Sequence, residues 1–325
     1  MTNFLSKTSR PLLALAPMAG FTASPFRQMV RSLEPSVILV SELISVEALR
    51  RKHQKTLDLC FFEKIEKNFF GIQLFGNNEN SFCEAGKIVE DLGADFIDLN
   101  FGCPAPKIIN SGNGSALLKN PKAAISMIEK LVYTVKIPVT IKMRLGFYDD
   151  KDILENTKNF ESAGVSAIFI HGRTTKQKFS GISNWEKIYL VKKNLNIPII
   201  GNGDIESIDD VKQKIKNLDG IMIGRAALKN PWIFSQIRNF FYNKKISEPT
   251  LEQKLKFFKN YVKLSIKNKD EKIAIIELRK HLSHFIRGIP NASIFRQKLM
   301  QITCYSKLEK IFNLFFRNAQ KEASP

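Results

Sequence analysis

Leu12-Leu13-Ala14-Leu15-Ala16-Pro17-Met18-Ala19-Gly20 is a short apolar run that stops in a proline turn, and it separates two fold classes. A run without polar alternation reads as a strand of a parallel sheet covered on both faces. A doubly wound dinucleotide-binding sheet would more often follow its first strand with Gly-x-Gly-x-x-Gly, and Ala16-Pro17-Met18-Ala19-Gly20 does not match. Downstream, similar runs occur at residues 37–40, 69–75, 96–100, 139–143, 167–171, 198–201 and 220–223. Amphipathic helical patterns lie between most of them, at 81–92, 121–135, 153–163, 185–194 and 208–215. Eight strands alternating with helices in ~230 residues fit an α/β fold of the (β/α)8 TIM-barrel type better than an open sheet.

After about residue 245 the alternation stops, and Lys-rich helical stretches follow at 251–268, 273–287 and 293–318, broken at Gly288-Ile289-Pro290. Polar residues and Pro249 cluster at 243–250, so two domains are expected: a catalytic barrel over 1–243 and a basic helical domain over 244–325. The chain carries a formal charge of +19. Residues 244–322 hold 18 lysines and arginines against seven acidic residues, so +11 of that charge lies in the C-terminal quarter. A genome-wide lysine bias would spread evenly; a concentrated field favours a polyanion such as nucleic acid.

No apolar run approaches the ~20 residues a membrane span needs. Residues 1–10 lack a signal-peptide apolar stretch, and the four cysteines form no Cys-x-x-Cys pair. A cytoplasmic protein with no structural metal is expected. His281 and His284 stand at helical i, i+3 spacing with no third ligand in view, and no obligate protein partner is evident.

Reactive residues of such barrels lie at the carboxyl ends of strands. Those ends are polar here: Ser41-Glu42, Gln73, Asn100-Phe101-Gly102-Cys103-Pro104, Lys142-Met143-Arg144, His171-Gly172-Arg173, Gly201-Asn202-Gly203-Asp204 and Gly224-Arg225. Polar groups in such numbers are costly as mere core. Gly203 and Gly224 let backbone N–H groups approach an anion, and Arg225 adds charge, the pattern of a phosphate site after the last two strands. Gln73 can both donate to and accept from the edge of a flavin ring, and Lys142 suits its anionic reduced form. Lys142 also admits a Schiff-base role of the barrel-aldolase kind. His171 can reach either a phosphate or the ring.

Cys103 stands between Gly102 and Pro104 on a polar strand end. A thiol is protonated at neutral pH yet acidic enough to donate. Hydride addition to C6 of a uracil leaves C5 in need of a proton, which a thiol on the opposite face of the ring can supply. Cys60, Cys83 and Cys304 have no such setting and read as ordinary small hydrophobes.

Taken together, the motifs resemble the tRNA-dihydrouridine synthase family along nearly the whole chain. The matching segments are Ala16-Pro17-Met18-Ala19-Gly20, Gln73-Leu74-Phe75-Gly76, Asn100-Phe101-Gly102-Cys103-Pro104, Gly112-Asn113-Gly114-Ser115-Ala116-Leu117-Leu118, Lys142-Met143-Arg144, His171-Gly172-Arg173-Thr174 and Gly201-Asn202-Gly203-Asp204. The Cys-Pro segment with its downstream Gly-Ser-Ala-Leu-Leu is the most specific. The resemblance implies FMN as cofactor, NADPH as reductant and tRNA as substrate. It implies FMN contacts from Pro17, Met18, Ala19, Gln73, Lys142, His171, Asn202, Gly203, Asp204, Gly224 and Arg225. Cys103 would be the proton donor, with Asn100 and Arg173 near the target uridine. The stretch holding Arg279, Lys280, Arg287 and Arg296 resembles the tRNA-binding C-terminal helices of the B-type bacterial branch. Phe101 stands where Met is commoner, and Asn113 where Ala is usual.

The chief alternative is an FMN barrel acting on a free pyrimidine, like dihydroorotate dehydrogenase, which gives the basic extension no role. A non-enzymatic RNA-binding module that kept the barrel, and a Schiff-base aldolase, rank below it.

Overall fold

The computed structural model describes residues 5, 8–267, 269–287, 289 and 291–323. Two compact units arise, one from residues 1–24 and 35–224, the other from 25–34 and 225–325.

The first unit is built on β1 (Leu12–Leu15), β2 (Leu39–Val40), β3 (Ile44–Ser45), β4 (Phe70–Phe75), β5 (Phe96–Phe101), β6 (Val139–Arg144), β7 (Ala167–His171), β8 (Ile199–Asn202) and β9 (Gly220–Ile223). All pairings are parallel, in the order β1-β9-β8-β7-β6-β5-β4-β2, with β3 also on β4. A bridge between Ala14 and Ile38 closes the ring, with Ile38 N donating to Leu13 O at 2.8 Å and Leu15 N to Ile38 O at 3.0 Å. The result is the expected (β/α)8 barrel.

The second barrel position departs from the expected run at 37–40, being shared by β2 and β3. Between them Ser41 Oγ accepts the Gln73 N–H at 2.9 Å, doing what a strand carbonyl would otherwise do, so the ladder is interrupted by a side chain.

Successive strand residues alternate between the two faces of a sheet. Leu12, Ala14, Ile38, Val40, Phe96, Ala167, Phe169, Ile200 and Met222 form one buried cluster, the filling of the barrel. Gly71 makes room for it, because a Cβ there would stand 2.7 Å from Cδ2 of Phe96. The same alternation turns Gln73, Asp98, Asn100, Thr140, Lys142, His171 and Asn202 inward, so a polar layer caps the apolar one. Helices Glu79–Asp91, Pro121–Thr134 and Trp185–Asn194 sheath the barrel, with Asn78, Asn120 and Asn184 capping their free N–H groups.

The second unit is helical: Arg225–Lys229, Ile233–Phe241, Leu251–Ile266, Glu271–Phe285, Ala292–Leu299 and Tyr305–Ala323, together with residues 25–34. The change to helix alone, expected near residue 243, thus follows two helices already in this unit. Its core is aromatic: Phe257 stacks on Phe285 with centroids 5.5 Å apart, and His281 packs edge-on to Phe26 at 5.3 Å. Buried there, His281 is a core residue.

The helix expected over 293–318 is two helices instead. The turn between them contains β-branched Ile302 and Thr303, and its carbonyls find other donors: Arg279 Nη2 donates to Ile302 O at 2.8 Å. Tyr305 N donates to Glu271 Oε1 at 2.6 Å on the far side. Gly288 and Pro290, where a break was expected, lie outside the described residues. Among the described residues no helix is long and apolar enough to cross a membrane, and no cluster of three or more His, Cys, Asp or Glu could hold a metal ion.

Candidate active site

A chain of hydrogen bonds climbs the inside of β4 and β5. Asp98, fully buried, accepts from Thr140 Oγ1 at 2.7 Å and from Gln73 Nε2 at 2.6 Å. Gln73 Oε1 accepts from Asn100 Nδ2 at 2.7 Å. Asn100 Oδ1 then accepts the backbone N–H of Cys103 at 2.9 Å and, at 3.3 Å, that of Gly102. Burial pushes the Asp98 carboxyl up to about 6, against the pull of Gln73, Thr140 and the charge of Lys142.

Cys103 is held from its other side as well. Ser115, fully buried on the short helix Gly114–Lys119, donates its hydroxyl to Cys103 O at 2.8 Å and its N–H at 3.3 Å. Gly114 adopts φ +60, and a Cβ there would stand 3.2 Å from Cβ of Cys103. The Gly112–Leu118 motif therefore acts as the second clamp on the cysteine. The thiol is half-buried.

Lys142, opposite Asn100 in the register of β5 and β6, is inward-facing, and its ammonium makes no hydrogen bond or ion pair among the described residues. Burial brings its pKa down to about 8, with the positive charge of Arg144 acting the same way and Asp98 and Cys103 opposing. A desolvated cation with no direct hydrogen bond or ion pair among the described residues is costly in a finished core, even with Asp98 in electrostatic reach, and fits a site completed by an electron-rich or anionic ligand. Asn202 Nδ2 donates to Met222 O at 2.8 Å, tying the ends of β8 and β9. Gly203, at φ +123, stands where a Cβ would strike Ser183 and come within 2.9 Å of His171 Cδ2. At Gly224 a Cβ would meet nothing closer than 3.6 Å, so its backbone is open to approach. Pro17, Met18 and Ala19 line the turn after β1, where Glu42 accepts the Gly20 N–H. Arg225 is exposed at the start of its helix.

Two arginines of the strand ends are not free to meet a ligand with most of their donors. Arg144 donates to Gly102 O at 2.9 Å, to Thr174 O at 2.9 Å and to Lys178 O at 2.6 Å. Arg173 pairs with Asp204 at 2.8 Å and donates to Ser180 O, Gly181 O and Ser183 Oγ. Asp204 in turn accepts the Ser183 N–H at 2.8 Å. Burial pushes its carboxyl up, but the Ser183 N–H and Arg173 outweigh that and hold it below the usual range. Arg173 and Asp204, expected near substrate and cofactor respectively, thus meet each other.

In the helical unit, Arg287 and Arg296 line one cavity of about 350 Å³ with Ser283 and His284. Lys280 is exposed, and Arg279 holds the interhelical turn. Asp98, Ser115 and Arg144 hold the site through contacts that no motif in the sequence assigns to them. The signal for Asp98 was a single acidic residue two before Asn100 in an otherwise apolar strand, on the same face by alternation.

The family model described as dihydrouridine synthase (Dus) matches residues 14–322. The chain is 36% identical over 288 residues to a probable tRNA-dihydrouridine synthase of Rickettsia bellii, covering 87% of this chain and 88% of that protein. It is 34% identical over 315 residues to tRNA-dihydrouridine synthase B of Pasteurella multocida, covering 94% of each. Among solved structures it is similar to histamine dehydrogenase from Rhizobium sp. 4-9 at TM-score 0.54 and 12% identity, over 76% of this chain and 48% of that one. It is similar too to 6-hydroxypseudooxynicotine amine oxidase from Pseudomonas geniculata N1, at TM-score 0.55 and 10% identity over 73% and 48%. The chain spans about half the length of those two structures, and they speak for the fold alone. With a barrel whose clamped cysteine carries the motif, and a family match over nearly its full length, this chain belongs to the dihydrouridine synthase family.

Proposed function

We propose that this protein reduces the C5=C6 bond of uridines in tRNA to 5,6-dihydrouridine, with FMN as cofactor and NADPH as reductant. The observation that carries the reading is Cys103, pinned through its backbone by Asn100 and Ser115 at the mouth that also presents the inward-facing Lys142. Gln73, Lys142, His171, Asn202, Gly203, Gly224 and Arg225, with the turn Pro17-Met18-Ala19, would hold FMN. When bound and reduced, that group supplies a hydride to C6 of the base. Cys103 delivers the proton to C5 on the opposite face, completing the addition of one hydride and one proton. The thiolate left behind faces the positive charges of Lys142 and Arg144, both of which interact electrostatically with Cys103. Asn100 keeps the sulfur-bearing residue in place.

Residues 244–325 would bind the tRNA, with Arg287 and Arg296 on their shared cavity and Lys280 nearby contacting phosphates. The target base must leave its stack to reach the barrel mouth. The test is anaerobic incubation of the purified protein with NADPH and unmodified tRNA, followed by mass mapping. A gain of two hydrogens at specific uridines and release of FMN on denaturation are expected. A colourless protein, or tRNA of unchanged mass, overturns the reading.

A further inference from the structure

Phe179 is 62% exposed in the loop after β7, yet the backbone on either side of it is fixed. The carbonyl before it, Lys178 O, accepts from Arg144 at 2.6 Å, and the carbonyl after it, Ser180 O, accepts from Arg173 at 3.1 Å. The Arg144 guanidinium also lies against the Phe179 ring, 5.5 Å from its centroid. Lys178 takes φ +51, a conformation a lysine adopts at a cost, so the loop is held there rather than relaxed there. Both arginines are at least 97% buried, with 2% and 3% exposure. Two desolvated arginines thus present an aromatic ring to solvent.

A second aromatic group lies on the loop after β6, which is hydrogen-bonded to the loop of Phe179. Phe147 and Tyr148 pack edge-on at 4.7 Å, and Lys119 Nζ lies 4.1 Å from the Phe147 centroid and 5.7 Å from that of Tyr148. Tyr148 is 65% exposed. The two loops are stitched together, Thr175 N donating to Gly146 O at 2.9 Å and Lys176 N to Phe147 O at 3.0 Å. Both groups are tied to the backbone around Cys103. Arg144 also grips Gly102 O, next to Cys103, and Lys119 ends the helix whose Ser115 clamps Cys103.

We propose that Phe179 and the Phe147–Tyr148–Lys119 group form a stacking surface for unpaired nucleobases that flank the target base in the RNA. This rests on the reading of the protein as a tRNA-modifying enzyme and names the part of the substrate that this mouth grips. The occupant follows from the chemistry: the exposed rings of Phe179 and Tyr148 attract other flat π systems, the lysine over Phe147 favours a polyanion, and RNA single strands offer both. The rigid loops lower the ordering cost of binding.

The test uses the full-length protein with an unmodified tRNA transcript and with oligouridylate. Phe179→Trp should bind the transcript as wild type does, and its added indole emission should be quenched on binding. Phe179→Ala and Tyr148→Ala should each weaken binding by at least about fivefold, the loss of one base–aromatic stack, with the slope of log affinity against log salt unchanged. Lys119→Ala should reduce that slope by up to about one. If wild type binds tRNA while both alanine variants bind equally well and the indole is not quenched, the stacking surface is refuted and the enzymatic reading stands. If wild type does not bind tRNA at all, both fall. Should Phe179→Ala prove unstable, the quenching of Phe179→Trp decides alone.

Discussion

Asp98 Oδ2 accepts a hydrogen bond from Gln73 Nε2 at 2.6 Å, and this contact sets the direction of the amides between the barrel core and Cys103. An ionised carboxylate can only accept, so Gln73 must present its amide nitrogen to it. Its oxygen is then left for Asn100 Nδ2, which turns Asn100 Oδ1 toward the Cys103 N–H. Asp98→Asn places a second donor in the chain and removes that constraint. A fall of about tenfold in kcat with an unaltered KM for tRNA is expected, measured by steady-state kinetics beside a urea titration.

The same residue makes a statement about pH. Burial raises the folded-state pKa of Asp98 to about 6, above its ordinary 3.8. A carboxyl raised in this way binds its proton more tightly in the folded state, so the fold loses stability as pH rises from about 4 to about 6. Asp98→Asn lacks that loss. Between those pH values the urea midpoint of wild type should move downward relative to the variant, by the equivalent of about 2–3 kcal/mol. Parallel curves would show that Asp98 does not titrate there.

Lys142 carries the opposite trade. Burial lowers its pKa to about 8, so the folded protein holds this cation reluctantly at neutral pH and relaxes as pH rises from about 8 toward the ordinary value of 10.5. Lys142→Met should therefore melt at a higher temperature than wild type at pH 7 while retaining less FMN after gel filtration. Wild type should lose FMN as pH rises through about 8, a limb absent in the variant.

Cys103→Ala should keep the fold, bind FMN and tRNA, and lose about 10²- to 10⁴-fold in turnover, the span of a lost general acid. Ser115→Ala, which removes one bond to Cys103 O, should cost about 1–3 kcal/mol in stability and a smaller share of kcat. If Cys103→Ala fails to bind flavin, the cysteine is a structural residue.

Arg173→Met leaves Ser180 O and Gly181 O without their donor and removes one of the donors of Asp204. Breaking a buried pair on one side costs about 3–5 kcal/mol, reduced here because Asp204 is partly exposed. Limited trypsinolysis should find the loop first, cutting after Lys176 or Lys178 far faster than in wild type.

The barrel was legible from Leu12 onward because its strands are uniform apolar runs separated by amphipathic helices. The thiol was legible because Gly102 and Pro104 bracket it on a polar strand end. Asp98 was not, since its role depends on Gln73 arriving beside it from a strand 25 residues earlier, a neighbour set by register alone. The place of Arg173 near the target uridine came from the family resemblance alone; its bonds to Asp204, Ser183 Oγ and the carbonyls of Ser180 and Gly181 depend on the folded loop and leave no trace in the sequence. The split of the last helix at Ile302 was hidden for a similar reason, its carbonyl being satisfied by Arg279 from another helix.

Cys103 is fastened from behind by Asn100 and from ahead by Ser115, twelve residues later. The intervening segment, with its own small helix Pro106–Ile109, is a closed excursion whose two ends are stapled together. Changes of sequence in that small helix act on the excursion and leave both fastenings of Cys103 in place.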